Sequence, residues 1–350
     1  MRLSDFEYNL PPGLIAQYPC QKRDESRLLL LHKDTGAIEH LLFRDIVRFF
    51  KKGDILALND TKVYKARVIG RRRGHTGKIE FLVAGRLEGG LYNVLARPSR
   101  KLSKGTRIVF DKTDISAEVI GRSAGYIQMR FEPEEGIYSA LDKIGSMPLP
   151  PYIKRNAELI DESRYQTVYA KKPGAIAAPT AGLHFTNELI DCIRQSGVNI
   201  AYLTLHVGYG TFRPVTEEDI TRHHMHHEYY EISEETARMI NNAKVCRGRV
   251  IAAGTTACRA LESACAGRKA GQSASGFSLP ASSGSTDIFI YPGYGFKAID
   301  MLLTNFHLPR TTLLMLVCAF AGREMIMKAY NEAIKLGYRF FSYGDAMLIV

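Results

Sequence analysis

From Arg67 to Phe131 the chain adopts a texture that few folds allow. Six short apolar runs (Arg67 to Gly70, Gly77 to Val83, Leu91 to Ala96, Thr106 to Phe110, Ile115 to Ile120 and Tyr126 to Phe131) alternate with turn signals such as Gly89-Gly90 and Gly125. Short strands at even spacing predict a small antiparallel barrel or sandwich. On both sides of this block, helical and strand patterns alternate, which predicts a three-layer α/β core. The block therefore reads as an insertion. Residues 67–146 are expected to form a basic β-barrel, between a first core segment, 1–66, and a second, 147–350, that carries the cleft. Met147-Pro148-Leu149-Pro150-Pro151 is the return linker, stiffened by its prolines.

In the first flank, Arg27 to His32 and Ala37 to Phe43 predict a hairpin, Asp45 to Lys52 a short helix and Asp54 to Leu58 a buried strand. In the second, helices are expected over Asn187 to Ser196, from Ser233 to about Cys246, and over Thr256 to Ala266, Thr311 to Phe320 and Arg323 to Leu336. Strands are expected over Val198 to Leu205, Arg249 to Ala253 and Asp287 to Tyr291. Thr186 and Ser233 stand where N-caps belong. Gly267 to Thr286, rich in Gly, Ser and Ala, reads as a surface loop without chemistry.

Charge separates the same two regions. The 350 residues carry a formal net charge of +11. From Lys65 to Arg130 there are fifteen Lys and Arg against five Asp and Glu, so nearly the whole excess sits in the insert. A solvated face would explain some of this; contact with nucleic-acid phosphates explains it better. The longest apolar run, Leu313 to Ala321, is about half of the ~20 residues a membrane helix needs. The N-terminus lacks a secretory pattern, and six irregularly spaced cysteines suit reduced thiols in a cytoplasmic protein.

Three polar motifs follow predicted strands directly: Asn59-Asp60-Thr61, His206-Val207-Gly208-Tyr209-Gly210-Thr211 and Gly254-Thr255-Thr256. Open α/β sheets bind ligands beyond the carboxyl ends of their strands, so the three are expected to line one cleft. Thr255 and Thr256 read either as helix caps, with Arg259 and Glu262 an exposed i, i+3 pair, or as a site wall. GAIAAPTAGLHFT (Gly174 to Thr186) reads either as the floor of a site or as a tight packing corner. His223, His224, His226, His227 and Glu228 form the densest titratable cluster. It lacks metal-ligand spacing, so acid–base work is the stronger reading and no metal is expected. Asn305-Phe306-His307-Leu308-Pro309 and Ser342-Tyr343-Gly344-Asp345 place further polar groups in turns. The glycine-rich signatures of dinucleotide and P-loop proteins and the G-x-S-x-G elbow do not occur.

These motifs together resemble the queuosine-pathway S-adenosylmethionine:tRNA ribosyltransferase-isomerase (QueA) family over essentially the whole chain. The resemblance runs through DFEYNLPPGLIAQYP (Asp5 to Pro19), LNDTKV (Leu58 to Val63), MPLPPYI (Met147 to Ile153), RYQTVYA (Arg164 to Ala170), GAIAAPTAGLHFT, LTLHVGYGTFRPV (Leu203 to Val215), HHMHHEYYEI (His223 to Ile232), GTTACRALES (Gly254 to Ser263), TNFHLPRTTLLMLVCAFAG (Thr304 to Gly322) and YRFFSYGDAMLI (Tyr338 to Ile349). It implies an α/β core with an inserted barrel. It also implies transfer of the ribosyl part of S-adenosylmethionine to the 7-aminomethyl-7-deazaguanine wobble base of tRNA, giving epoxyqueuosine, adenine and methionine. S-adenosylmethionine is then a cosubstrate, and no tightly bound cofactor, membrane or obligate protein partner is expected of a monomeric enzyme.

For that chemistry His184, His206, His226, Glu228 and Asp345 are the candidates for base and acid, with His226 and Glu228 preferred. Asn59, Asp60, Thr180, Gly182, Thr255, Thr256, Arg259, Glu262, Asn305 and His307 are the candidates for holding the cosubstrate. Arg71, Arg72, Arg73, Lys78, Arg100 and Lys101 of the insert are the candidates for tRNA. An RNA methyltransferase and a non-catalytic RNA-binding module are the competing classes. The first wants a glycine-rich turn after the first strand, and the second leaves the strand-end motifs idle.

Overall fold

The computed structural model describes residues 1–133, 135–208, 210, 215–266 and 277–350. The strands in chain order are β1 (Arg27–Leu31), β2 (Ile38–Leu42), β3 (Ile55–Asn59), β4 (Thr61–Val63), β5 (Arg67–Arg72), β6 (Lys78–Arg86), β7 (Leu91–Arg97), β8 (Arg107–Phe110), β9 (Ser116–Ser123), β10 (Tyr126–Glu132), β11 (Lys172–Ala175), β12 (Asn199–Leu205), β13 (Glu228–Ile232), β14 (Val250–Ala253), β15 (Ser282–Thr286), β16 (Met301–Asn305) and β17 (Ala346–Ile349). The helices are α1 (Ile137–Ile144), α2 (Leu159–Arg164), α3 (Asn187–Gln195), α4 (Glu234–Val245), α5 (Thr255–Cys265), α6 (Thr312–Ala321) and α7 (Arg323–Lys335).

Nine strands form one sheet in the order β15-β13-β12-β3-β14-β16-β17-β1-β2. Its centre is buried on both faces, as parallel strands require. Leu29, Ile55, Ala57, Leu203, Ala252, Leu302 and Met347 pack against α4 to α7. Leu28, Leu30, Leu56, Leu58, Ile251, Leu303 and Leu348 pack against α3 and the 3-10 segment Phe43–Phe49. Each such Leu, Ile or Met side chain contributes roughly 1.5–3 kcal/mol on burial, and each alanine less. The result is three layers, as expected.

The six expected strands of the insert close into a barrel, in the order β10-β7-β6-β5-β8-β9. Val68, Phe81, Val83, Val94, Val119, Ile127 and Met129 fill it. One end is stoppered by α1, through Ile137 and Leu141, a helix the sequence pattern does not suggest. Core residues Tyr64 and Ile176 pack into the same cluster and join the barrel to the sheet.

Polarity decides how the site is placed. Strands β12, β3, β14 and β16 are mutually parallel. Strand β17 runs against β16, and β1 runs with β17. The carboxyl ends of the four central strands therefore share an edge with the amino ends of β17 and β1.

Three expectations need correction. The short helix expected over Asp45 to Lys52 is present but starts and ends earlier, as a 3-10 segment over Phe43–Phe49, with Asp45 accepting the Leu42 N–H at 3.1 Å. The strand expected at Asp287 to Tyr291 lies earlier, as β15, inside the stretch read as a loop. Its Ser and Gly residues carry little strand propensity, but the open edge of β13 offers a backbone partner, and pairing overrides propensity. Residues 267–276 of that stretch lie outside the described residues, as do Tyr209 and Thr211 of the His206 motif. Finally, Gly254, with φ 98°, holds the N-cap of α5, and neither Thr255 nor Thr256 caps it. Thr186 and Ser233 do cap their helices, accepting the Leu189 and Thr236 N–H groups.

Candidate active site

A cavity opens at the shared edge. Its walls are the small-residue turn (Ala177, Ala178, Pro179, Thr180, Ala181), the start of α5 (Gly254, Thr255, Thr256, Arg259), the end of β16 (Thr304, Asn305, Phe306, His307) and the aromatics Tyr152, Tyr165 and Phe341. Thr180, Thr255, Thr256, Arg259, Asn305 and His307, all expected at the site, are thus brought together. The small residues of the turn let the chain pass close over the strand ends.

Asn59 borders the cavity as a clamp. Its Oδ1 accepts the N–H groups of Leu205 and Thr61, and its Nδ2 donates to the Leu205 carbonyl at 3.0 Å and to Thr256 Oγ1 at 3.1 Å. With its acceptor on Asn59, the Thr256 hydroxyl proton remains free to donate. Asn305 plays a similar part on the far side, donating to the Phe341 carbonyl at 2.9 Å and turning its Oδ1 to His184.

Two histidines sit beside this wall, both neutral. His307 lines the cavity, its Nε2 2.8 Å from Thr304 Oγ1, and burial pushes its pKa down to about 3. His184 is buried behind the wall, stacked on Phe43 at 4.9 Å. Its Nδ1 lies 2.6 Å from Ser26 Oγ and its Nε2 3.3 Å from Asn305 Oδ1. Since Asn305 offers an acceptor, the Nε2 carries the proton. Burial, only partly offset by Asp345, lowers the pKa of His184 to about 4.

Other expected residues lie outside the cavity lining. The Asp345 carboxylate is held by Arg27 and Arg339, through side-chain and backbone N–H groups. Asp60 accepts the Thr204 hydroxyl at 2.6 Å, and burial raises its pKa. His206 bonds Thr61 Oγ1 at 2.7 Å and lies against Gly174, where a Cβ would come within 2.6 Å of its ring. Gly182 backs onto the Tyr169 hydroxyl, where a Cβ would clash at 2.2 Å. Glu262 is fully buried away from the cavity, accepting Tyr294 Oη–H and the N–H groups of Lys297 and Ala298, so it anchors a loop. The expected exposed Arg259–Glu262 pair is therefore corrected: both residues are buried, with different partners.

Arg259 pairs instead with Glu228, through Nη1 and Oε2. Glu228 begins β13 and also accepts the Gly208 N–H at 3.2 Å. His226 is exposed and packs on Gly210, and His223 turns to Glu217 at 3.3 Å. Among the described residues, it is the Glu228 carboxylate of this cluster that reaches the cavity lining, through Arg259. Among the described residues no group of three or more His, Cys, Asp or Glu is placed to share a metal.

The residues that sequence reasoning leaves without a role are Tyr152, Tyr165, Phe306, Phe341 and Ser342. All fall within motifs already singled out, but an aromatic in a motif reads as core until its neighbours are known. A second, open groove runs between barrel and core, lined by Arg67, Arg97, Arg122, Lys154 and Arg155. It meets the cavity wall at adjoining residues, Ile153 beside Tyr152 and Ile176 beside Ala177.

Comparison with known proteins fits this arrangement. Residues 3–349 match the queuosine biosynthesis protein family. The chain belongs to that family. Among its relatives, the S-adenosylmethionine:tRNA ribosyltransferase-isomerase of Acetivibrio thermocellus is 52% identical over 350 residues, covering all of both chains. The protein of the same name from Staphylococcus epidermidis is 50% identical over 351 residues, again covering both in full. The crystal structure of S-adenosylmethionine tRNA ribosyltransferase from Thermotoga maritima is similar with a TM-score of 0.56 and 39% identity, over 99% of this chain and 100% of that one. Family membership thus spans barrel and sheet together.

Proposed function

We propose that this chain is an S-adenosylmethionine:tRNA ribosyltransferase-isomerase. It moves the ribosyl part of S-adenosylmethionine onto the 7-aminomethyl-7-deazaguanine wobble base of tRNA and rearranges it to epoxyqueuosine, releasing adenine and methionine. The observation that carries this reading is the end-to-end match, at half identity, to relatives bearing that name. The geometry supports it: one partly apolar cavity with aromatic walls and hydroxyl donors suits an adenosine, and a basic groove leads away from it.

The sulfonium acidifies the ribose 5′ methylene, and a base must take that proton. Among the described residues of the cavity lining, His307 is the ionisable group with a proton-accepting nitrogen. Its low pKa keeps the base form fully populated at neutral pH. A base of low pKa has little driving force of its own, so the step relies on the adjacent sulfonium to acidify the C–H, and the imidazolium formed can pass the proton to the departing adenine. We therefore move the base from His226 and Glu228 to His307. Asn59, Thr180, Thr255, Thr256 and Asn305 shape the adenosine pocket, and His184 orients Asn305 from behind.

We take 67–146 as an insert that adds tRNA contacts, and 1–66 with 147–350 as the catalytic core. The finer reading is of a cytoplasmic monomer without a tightly bound cofactor. Among the described residues the six cysteines form no disulfide, which agrees with a reducing compartment. Among the described residues no helix is long and apolar enough to cross a membrane.

The test is to incubate the protein with S-adenosylmethionine and precursor-bearing tRNA and identify the small products. Free adenine and methionine are expected. S-adenosylhomocysteine would make the protein a methyltransferase, and absence of turnover a binding module.

A further inference from the structure

Arg259 is 3% exposed, yet it lines the cavity. Its Nη1 is taken by Glu228 and its Nε donates to the Ile288 carbonyl at 3.3 Å. Its Nη2 is buried and has no hydrogen-bond partner among the described residues. An orphaned guanidinium N–H is costly, because desolvation of a charged donor is not repaid. Next to it, α5 presents an N-terminus with glycine at the cap and no side-chain oxygen to satisfy its first N–H groups. Those groups carry the positive end of the helix dipole. Thr256 adds a hydroxyl whose acceptor side is already used by Asn59. Every one of these groups is a donor, and two are positively polarised. They call for a small anion.

Taking S-adenosylmethionine as the cosubstrate, as proposed above, its only anionic group is the methionyl carboxylate. We propose that Arg259 Nη2 and the open N-terminus of α5 hold that carboxylate, and that Glu228 is the positioning partner that fixes the guanidinium. A guanidinium pinned through Nε and Nη1 has one edge left, and Glu228 and Ile288 decide which way it faces. The cosubstrate then enters with its amino-acid end at α5 and its adenosine toward Asn305 and His307.

The experiment compares S-adenosylmethionine with decarboxylated S-adenosylmethionine as donors, reading adenine release at saturating tRNA. The wild-type protein should prefer the carboxylated donor in kcat/KM by roughly 10–150-fold, the worth of a hydrogen bond to a charged group. In Arg259→Met that ratio should fall toward one, mainly through a higher KM for S-adenosylmethionine, and Arg259→Lys should keep part of it. The ratio is taken on one preparation, so the folded fraction cancels. If Arg259→Met fails to fold because the buried Glu228 loses its counter-charge, the double variant with Glu228→Gln removes that charge and gives the same reading. Equal use of both donors by the wild type, or an unchanged ratio in the Arg259 variants, overturns the inference. So does a loss of tRNA affinity at constant donor ratio, which would assign the arginine to an RNA phosphate. Absence of adenine from both donors would instead strike the proposed reaction itself.

Discussion

In the barrel, alternation is kept to the end: Val68, Ile79, Phe81, Val83, Val94 and Ile127 point in, and charged residues point out. Among the described residues from 67 to 146, no polar or charged side chain is buried. At the cleft edge of the large sheet the opposite holds. Asn59, Asp60, Thr61, His184, Glu228, Thr255, Arg259, Thr304, Asn305, His307 and Asp345 are all buried there. A buried polar group is tolerated only when bonded, and nearly every one of these is. The barrel therefore draws its stability from apolar packing that water reinforces. The edge sacrifices hydration to fix orientations, and the Arg259 Nη2 it leaves unbonded is the group proposed above to meet a ligand. On the proposed function the contrast is that of a catalytic edge and a docking barrel, and it can be attacked from either side.

The largest effect is expected at the edge. His307→Ala should cut single-turnover adenine release by about 10²–10⁴-fold, the range for a general acid–base group. His226→Ala should leave it near the wild-type rate, because that ring lies outside the cavity lining. A normal rate for His307→Ala with a collapse for His226→Ala would return the base to the histidine cluster. Glu228→Gln comes next, with a loss of roughly 10–150-fold in kcat/KM, the worth of one hydrogen bond to a charged group. Its signature is a raised KM with kcat held, since Glu228 acts through Arg259. A fall in kcat with unchanged KM would make Glu228 the base after all.

Acid should separate the two regions in stability. An ordinary histidine titrates near 6.5, whereas His184 and His307 are held to about 4 and about 3 in the fold. Between those values the unfolded chain binds more protons than the native one, so stability falls as pH drops below about 6.5 and keeps falling through 4. The barrel carries one histidine, His75, which is exposed. Hydrogen exchange at pH 7 and pH 4.5 should therefore show protection lost in β14 and β16 well before β6 and β7. Parallel loss in all four strands would mean that the barrel has no stability of its own.

What is legible in the sequence follows the same division. All six barrel strands are readable, because a surface-facing period of two is visible to the eye. Strands β3, β12 and β14 stand out as apolar runs, but β13 is hidden under HHMHHEYYEI, where titratable residues mask the alternation. Strand β16 escapes because MLLTN is too short to tell from a helix fragment. At the site, the strand-end rule points to Thr255 and Thr256, and the turn motif of Asn305 to Pro309 points to Asn305 and His307; all four line the cavity. Neither kind of motif can tell a group facing the cavity from one facing the core, so Asp60, Gly182 of the small-residue turn and Glu262 of α5 come with them. Nor can either show that Arg259 reaches Glu228, thirty-one positions away, rather than its helix neighbour Glu262.

The smallest effect is expected on the barrel surface, and it tests whether the insert docks RNA at all. Arg71, Arg72 and Arg73 end β5 and begin the turn to β6; Lys78 follows, and Arg100 and Lys101 are exposed beyond β7. Arg71 already spends part of its charge on Asp111, at 2.8 Å across the barrel surface. An exposed pair of that kind is worth little and exchanges readily with a phosphate. Replacing all three arginines by Ala should therefore weaken tRNA binding only a few-fold near physiological salt. The log–log salt slope should flatten by about 0.9 for each duplex phosphate no longer neutralised, and by about 0.7 for a single-stranded one. Adenine release at saturating tRNA should not change, since no barrel arginine of this set lines the cavity. Unchanged affinity together with an unchanged slope would take the tRNA off the hairpin. The basic groove at Arg97 and Lys154 would then be the surface to substitute next, and the barrel's role would shrink to that of a wall.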